Sequence, residues 1–213
     1  MGNSSASMKD GLRAGILKSL PEIAEISDQG LREKVVDLWT RALSVSEFSS
    51  IDQMECSGMV GMAQYPGKTQ SDHLRGVGRI ARAIAREMRD LCGDEVDVDP
   101  DMCLASGLIH DAGKPYFYTA ENIKRFHERR AYIGKPAFRH TMFGAHLALE
   151  AGLPEELVHC IAAHDLHMDG QYVEPSVYAV ILASADQIYW NTLIRLGLLR
   201  DSDIAVEGPL PMG

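Results

Sequence analysis

Apolar positions recur along this chain mostly at three- and four-residue intervals, and strand-like alternation is sparse. Leu12, Ile16, Leu17 and Leu20 give the first helical stripe, which Pro21 interrupts. Leu31, Val35, Leu38, Trp39 and Ala42 repeat the pattern over residues 31–43, with Asp28 placed to cap the start. A short amphipathic stretch follows at residues 47–54. Residues 56–69 are glycine-rich, and Tyr65-Pro66-Gly67 signals a turn.

The next helix starts from a cap at Ser71 or Asp72 and runs to about Leu91. Its inward stripe is Leu74, Val77, Ile80, Ala81, Ile84, Met88 and Leu91, with Arg79, Arg82, Arg86 and Arg89 largely off it. Asp99-Pro100 supplies a cap and first position for an apolar helix from Met102 to Ile109, and Gly113 and Pro115 are expected to stop it. His140 opens another helix. Gly152-Leu153-Pro154-Glu155-Glu156 marks a turn and the start of the next, whose inward residues are Leu157, Val158, Ile161 and Ala162. Pro175 opens the last helix, to about Leu199. It is nearly all apolar from Val177 to Ile188, which predicts burial on most sides.

The expected architecture is one all-α helical bundle. Residues 1–8 read as a disordered tail and 9–70 as a helical extension packing on the core. Residues 71–200 form the main domain and 201–213 a flexible tail. There is no internal repeat and no second domain.

Composition narrows the function. The 213 residues are 46% hydrophobic and 24% charged, ordinary for a globular domain, and the net charge is −9. That balance speaks against a nucleic-acid polymer or a membrane surface as partner. It leaves room for a local basic pocket and an anionic small-molecule substrate, and a homo-oligomer is compatible with it. Cys56, Cys92, Cys103 and Cys160 form no CxxC pair and read as reduced thiols, which with no signal peptide or long apolar run suggests the cytoplasm.

The chemistry centres on Leu108-Ile109-His110-Asp111-Ala112-Gly113-Lys114-Pro115. Adjacent residues on a helix point about 100° apart, but at a helix end an imidazole and a carboxylate can converge. His73 lies on the inward face of its helix, four residues before Val77, where a core histidine bonded to a carbonyl is the alternative. Asp111 ends an apolar run, and Asp186 is the one carboxylate in the apolar stretch of the last helix. A buried carboxylate calls for a cation or a metal. His140 and His164 complete a set of four imidazoles and two carboxylates without a thiolate, suited to Mn²⁺, Fe²⁺, Co²⁺, Ni²⁺, Mg²⁺ or Zn²⁺. Six donors are many for one ion and fit two divalent ions, with Asp111 as the natural bridge beside His110. His146 lies about 120° around the helix from His140 and so does not share its site easily. Gly144, four residues after His140, lets a neighbouring backbone approach that face.

One segment is basic and aromatic in this acidic chain. Between Tyr116 and Arg139 it carries Lys124, Arg125, Arg129, Arg130, Lys135 and Arg139 among Phe117, Tyr118, Phe126 and Tyr132. It reads either as a solvated face or as a lid that recognises an anion. His167 is a candidate substrate contact or a solvent-facing residue. His127 and His159 read as ordinary histidines.

The ordered set His73, His110-Asp111, His140, His164, Asp186 resembles the HD-domain superfamily of metal-dependent phosphohydrolases. His110-Asp111-Ala112-Gly113-Lys114-Pro115 is similar to its HD-[small]-GK-P signature, and His140-Thr141-Met142-Phe143-Gly144-Ala145 to its His-xxx-Gly-Ala element. The resemblance covers about Ser71 to Trp190. It implies a helical bundle with one metal on His73, His110, Asp111 and Asp186 and a second on Asp111, His140 and His164. It further implies that Lys114 touches a phosphate or orients the water. Ala163 precedes His164-Asp165, and Asp169-Gly170-Gln171-Tyr172 lacks the rest of a DGxGYP-like run, so the resemblance does not point to cyclic dinucleotides.

The expected activity is cleavage of a small phosphoester, such as a nucleotide, by a metal-activated water. Asp111 and Lys114 are the catalytic candidates; Lys114, Arg125, Arg129, Arg130, Arg139 and His167 are the substrate-binding ones. The same ligand set resembles that of the family's di-iron oxygenases, which split C–C or C–P bonds. A non-catalytic ligand-binding domain is the third reading.

Overall fold

The computed structural model describes residues 2–57, 64–129, 138–165 and 175–200. Its helices are α1 (Gly2–Ser19), α2 (Gln29–Ser44), α3 (Gln70–Cys92), α4 (Pro100–Ile109), α5 (Lys114–Phe117), α6 (Ala120–Glu128), α7 (His140–Glu150), α8 (Glu155–Ala163) and α9 (Val177–Arg195). Among the described residues the fold is all-α apart from one small antiparallel sheet of β1 (Glu55–Ser57) and β2 (Gln64–Thr69). No helix among the described residues is long and apolar enough to cross a membrane.

Local signals account for most boundaries. Asp28 caps α2 by accepting from the N–H groups of Gly30 and Leu31, and Asp99 caps α4 through Asp101 N–H at 2.8 Å. The cap of α3 is Thr69, not Ser71 or Asp72. Asp72 instead reaches back to accept from Thr69 N–H at 3.1 Å, closing a capping box. The cap moves because the preceding residues are a strand: β2 delivers an extended Thr69 straight to the helix start.

Several expectations are corrected. The glycine-rich stretch at 56–69 contributes to a hairpin, whose pairing of Glu55 with Thr69 is a tertiary event without a local signature. α4 does end at Ile109, as expected, and after a turn a separate short helix, α5, begins at Lys114, where Pro115 lacks an N–H that the first turn does not need. α9 buries one face, not most sides. It packs on α3, α4 and α8, and Val177, Val180 and Ile188 stay exposed on its other side. The C-terminal turns of α3 likewise run past the core, leaving Met88 and Leu91 exposed. The expected tail at 201–213 lies outside the described residues.

Residues from the N-terminal helices and from the later ones share one core. Trp39, Leu38 and Val35 of α2 pack with Leu104, Leu108 and Ile109 of α4 and Leu157 of α8. The indole N–H of Trp39 donates to Leu108 O at 2.9 Å, anchoring α2 to the turn that carries His110. Glu22, buried, accepts twice from Arg75 Nε, at 2.9 and 3.0 Å, and ties the extension to α3.

Two close approaches of backbone set the centre of the bundle. α3 and α4 cross glycine on glycine: a Cβ on Gly107 would lie 2.3 Å from Gly78 Cα. A Cβ on Gly113 would lie 2.0 Å from His140 O, so the turn after α4 rests on the start of α7. Only glycine permits either contact.

Candidate metal centre

His73 sits in the first turn of α3, and His110 and Asp111 leave the end of α4. His140 is the first residue of α7, His164 follows the end of α8, and Asp186 lies mid-way along α9. Five elements thus send one set of donors inward. The glycine crossing of α3 and α4 brings His73 and His110 together, with Nε2 atoms 3.1 Å apart. The contact of Gly113 with α7 brings Asp111 to His140.

Asp111 divides the donors. Its Oδ2 lies 3.2 Å from His110 Nε2 and 3.4 Å from His73 Nε2. Its Oδ1 lies 3.4 Å from His140 Nε2 and 3.8 Å from His164 Nε2. Asp186 Oδ1 joins the first side, 3.4 Å from His73 Nε2. His140 and His164 oppose their Nε2 atoms at 3.3 Å on the second.

The ring orientations are fixed from behind. His110 Nδ1 donates to Gly107 O and His164 Nδ1 to Ile161 O, each at 2.8 Å, because a carbonyl can only accept. In the neutral rings both Nε2 atoms are then lone pairs aimed into the cluster. Burial pushes the pKa of His73 down, that of His140 well down and that of His164 to about 4. Burial also lowers His110, but the adjacent Asp111 carboxylate raises it more. Burial opposes the charge on Asp111, and Lys114 and His110 overcome it, holding the carboxyl well below its usual range.

A divalent cation fits these residues. Imidazole Nε2 atoms face one another at hydrogen-bond distance, those of His110 and His164 as lone pairs, and Asp186 Oδ1 is buried without accepting a hydrogen bond. Donor atoms of His73, His110 and Asp186 lie within 4.8 Å of one another, as do those of His110, Asp111 and His164. Such sets hold divalent metals.

A family model for the HD domain matches residues 71–191, more than half of the chain. The chain belongs to the HD domain family. Comparisons with curated proteins and with solved structures returned no match. The match begins beside His73 and ends just past Asp186, so the HD domain encloses all six converging side chains.

The remaining candidates are placed unevenly. Lys114 is buried, with Nζ 2.7 Å from Asp111 Oδ2 and donating to Ser57 O at 3.0 Å. Burial lowers its pKa, but Asp111 raises it further, so it stays charged. Arg139 is buried beside His140, and its Nη2 donates to Asp165 Oδ2 at 3.3 Å. That pair joins the residue before His140 to the residue after His164. Arg125 is half-buried and Arg129 exposed at the C-terminal end of α6, and neither enters the ligand contacts above. Arg130 and His167 lie outside the described residues, as do residues 130–137 of the region expected as a lid. His146 is exposed on α7, and His159 Nε2 accepts from Ser176 N–H at 3.3 Å.

Gln70 is a site residue that the motif does not contain. Fully buried, it donates from Nε2 to Asp111 Oδ2 at 2.8 Å. Its signal was its place three residues before His73, on the same face of α3.

Proposed function

We propose that the protein is a metal-dependent phosphohydrolase that cleaves a small phosphoester. The observation that carries this reading is the division of Asp111, with one oxygen toward His73 and His110 and the other toward His140 and His164. Membership of the HD domain family adds to it. Two divalent ions, drawn from Mn, Fe, Co, Ni, Mg or Zn, would be held by His73, His110 and Asp186 on one side and by His140 and His164 on the other, sharing Asp111. When bound, such ions lower the pKa of a water and neutralise phosphoryl oxygens.

The chain's own groups prepare that chemistry. Lys114 and Gln70 both donate to Asp111 Oδ2, which keeps the carboxylate ionised and its plane fixed. Lys114 has a third N–H beyond Asp111 and Ser57, directed in this reading to a phosphoryl oxygen or the attacking water. Arg139 and Asp165 hold the α7 and α8 ends in register and so position His140 and His164. Arg125, Arg129, Arg130 and His167 are the proposed recognition groups for an anionic substrate.

The test is phosphate release from a panel of phosphoesters and nucleotides under anaerobic conditions with added Mn²⁺. Wild type should turn over at least one substrate, and Asp111→Asn should fall to background. If instead turnover requires oxygen and iron and stops with zinc, the phosphohydrolase reading fails in favour of a di-iron oxygenase.

A further inference from the structure

Away from the metal centre, α9 presents a long outer face without charge. Its inner side sends Asp186 to the ligand cluster and Ala179, Leu182 and Ala185 to the core. Its outer side repeats at helical spacing through Val177, Val180, Ser184, Ile188 and Asn191. Val177 is 60% exposed, Val180 45% and Ile188 48%. From Val177 to Ile194 the helix holds no Lys, Arg or Glu, and its one Asp points inward. The solvent side of a helix is ordinarily charged. α3 shows the contrast, with Arg79, Arg86, Glu87, Arg89 and Asp90 all exposed. Single exposed apolar residues need no explanation, but a row of them with no charge between marks a contact surface.

The two ends of this face carry opposite charge. At the start of α9, the Tyr178 hydroxyl accepts from Asp99 N–H at 3.0 Å. Burial raises the pKa of that hydroxyl, and the carboxylates of Asp99 and Asp97 add to the shift, so both lie close to it. Both acids are exposed. At the far end Arg195 is exposed, about five turns after Val177 and on the same side of the helix. A two-fold rotation about the middle of the face lays α9 antiparallel on itself and brings Arg195 of each copy to the acidic end of the other. The face is thus self-complementary in the sense that a symmetric dimer requires. The same rotation sets Ile188, the largest apolar side chain of the row, opposite the small Ser184.

We propose that this face joins two copies of the chain in a symmetric dimer, by antiparallel packing of α9 on α9. Asp186 faces away from the contact, so each metal centre stays complete within one copy. A single pair of helices about 28 Å long makes a small interface. The dissociation constant is therefore of about micromolar order. Salt weakens the dimer, because the paired charges at its ends are open to solvent.

The experiment is sedimentation equilibrium of the full chain, from concentrations well below the micromolar range to well above it. A reversible monomer–dimer equilibrium is expected. Ile188→Glu places two carboxylates near the axis and should weaken association about a hundredfold. Arg195→Asp should weaken it about tenfold, and adding Asp97→Arg to that variant should restore most of the loss, because the charges then pair in the reverse sense. Circular dichroism and metal content should match wild type throughout, and Val180→Glu repeats the test if Ile188→Glu loses helical content. A wild type that stays monomeric at every concentration overturns the proposal and leaves the face to a different partner. A dimer that survives both Ile188→Glu and Val180→Glu overturns it as well. Failure of Asp97→Arg to restore the Arg195→Asp loss overturns the antiparallel arrangement.

Discussion

Lys114 and Asp111 form a buried ion pair, Nζ to Oδ2 at 2.7 Å, three residues apart across the turn between α4 and α5. Removing one member leaves the other charge buried and uncompensated, at a cost of about 3–5 kcal/mol. Lys114→Met should therefore lose about that much stability in chelator-treated protein. Added divalent metal should recover more stability in the variant than in wild type, because a cation at Asp111 replaces the lost charge. Urea denaturation with and without metal checks this; equal stability of the two chelated proteins would contradict it.

Gly113→Ala should be among the most damaging single-methyl additions to the chain. The added carbon would meet His140 O at 2.0 Å, and both are backbone-borne, so neither can swing away. Overpacking of this kind costs about 1–3 kcal/mol or more. The separation of Asp111 from His140 should increase, so metal content by elemental analysis should fall together with melting temperature. Gly67→Ala is a control: it carries a positive φ on β2, with no atom within 4 Å of the new Cβ, so its strain is local and metal content should be unchanged.

Gln70→Leu removes a hydrogen bond to the shared carboxylate while filling most of the same space. Groups that orient a metal-binding carboxylate are worth about 10–100-fold in metal affinity. The variant should show a drop of that order in competition with a chromophoric chelator, with little change in helical content. An unchanged affinity would mean that Lys114 alone orients Asp111.

Asp52 supplies a pH dependence away from the cluster. Partial burial raises its pKa, but the hydroxyls of Ser19, Ser71, Thr69 and Ser50 lower it more, and the net direction is below the usual 3.8. These bonds join α1 and the segment before β1 to the start of α3. Because the folded-state pKa lies below the unfolded one, the contribution is complete above the unfolded value and is lost as pH falls through the folded one. The stability gap between wild type and Asp52→Asn should be constant near neutrality and close as pH drops below about 4. A gap that widens on acidification would reverse the assignment.

Much of the helical layout is legible in the sequence because helix signals are local. Asp28 and Asp99 cap where their spacing to the next apolar residue places them, and both bond the N–H groups expected of caps. Thr69 was obscured by Ser71 and Asp72, since its selection depends on β2 arriving in an extended conformation. The hairpin and the exposed side of α9 were not legible for a related reason. Pairing of Glu55 with Thr69 and exposure of Val180 and Ile188 depend on which elements become neighbours, and periodicity within one element carries no record of that.

The sequence by itself determined the donor chemistry: four imidazoles and two carboxylates in a fixed order, on helices whose apolar faces turn them inward. Only the tertiary structure decided how they meet. Gly107 on Gly78 and Gly113 on His140 let backbones approach where any Cβ would collide. Those contacts place His73 and His110 against one oxygen of Asp111 and His140 and His164 against the other. Gln70 joined the site in the same way. A hydrogen bond across 41 residues is fixed by packing and leaves no local trace in the order of residues.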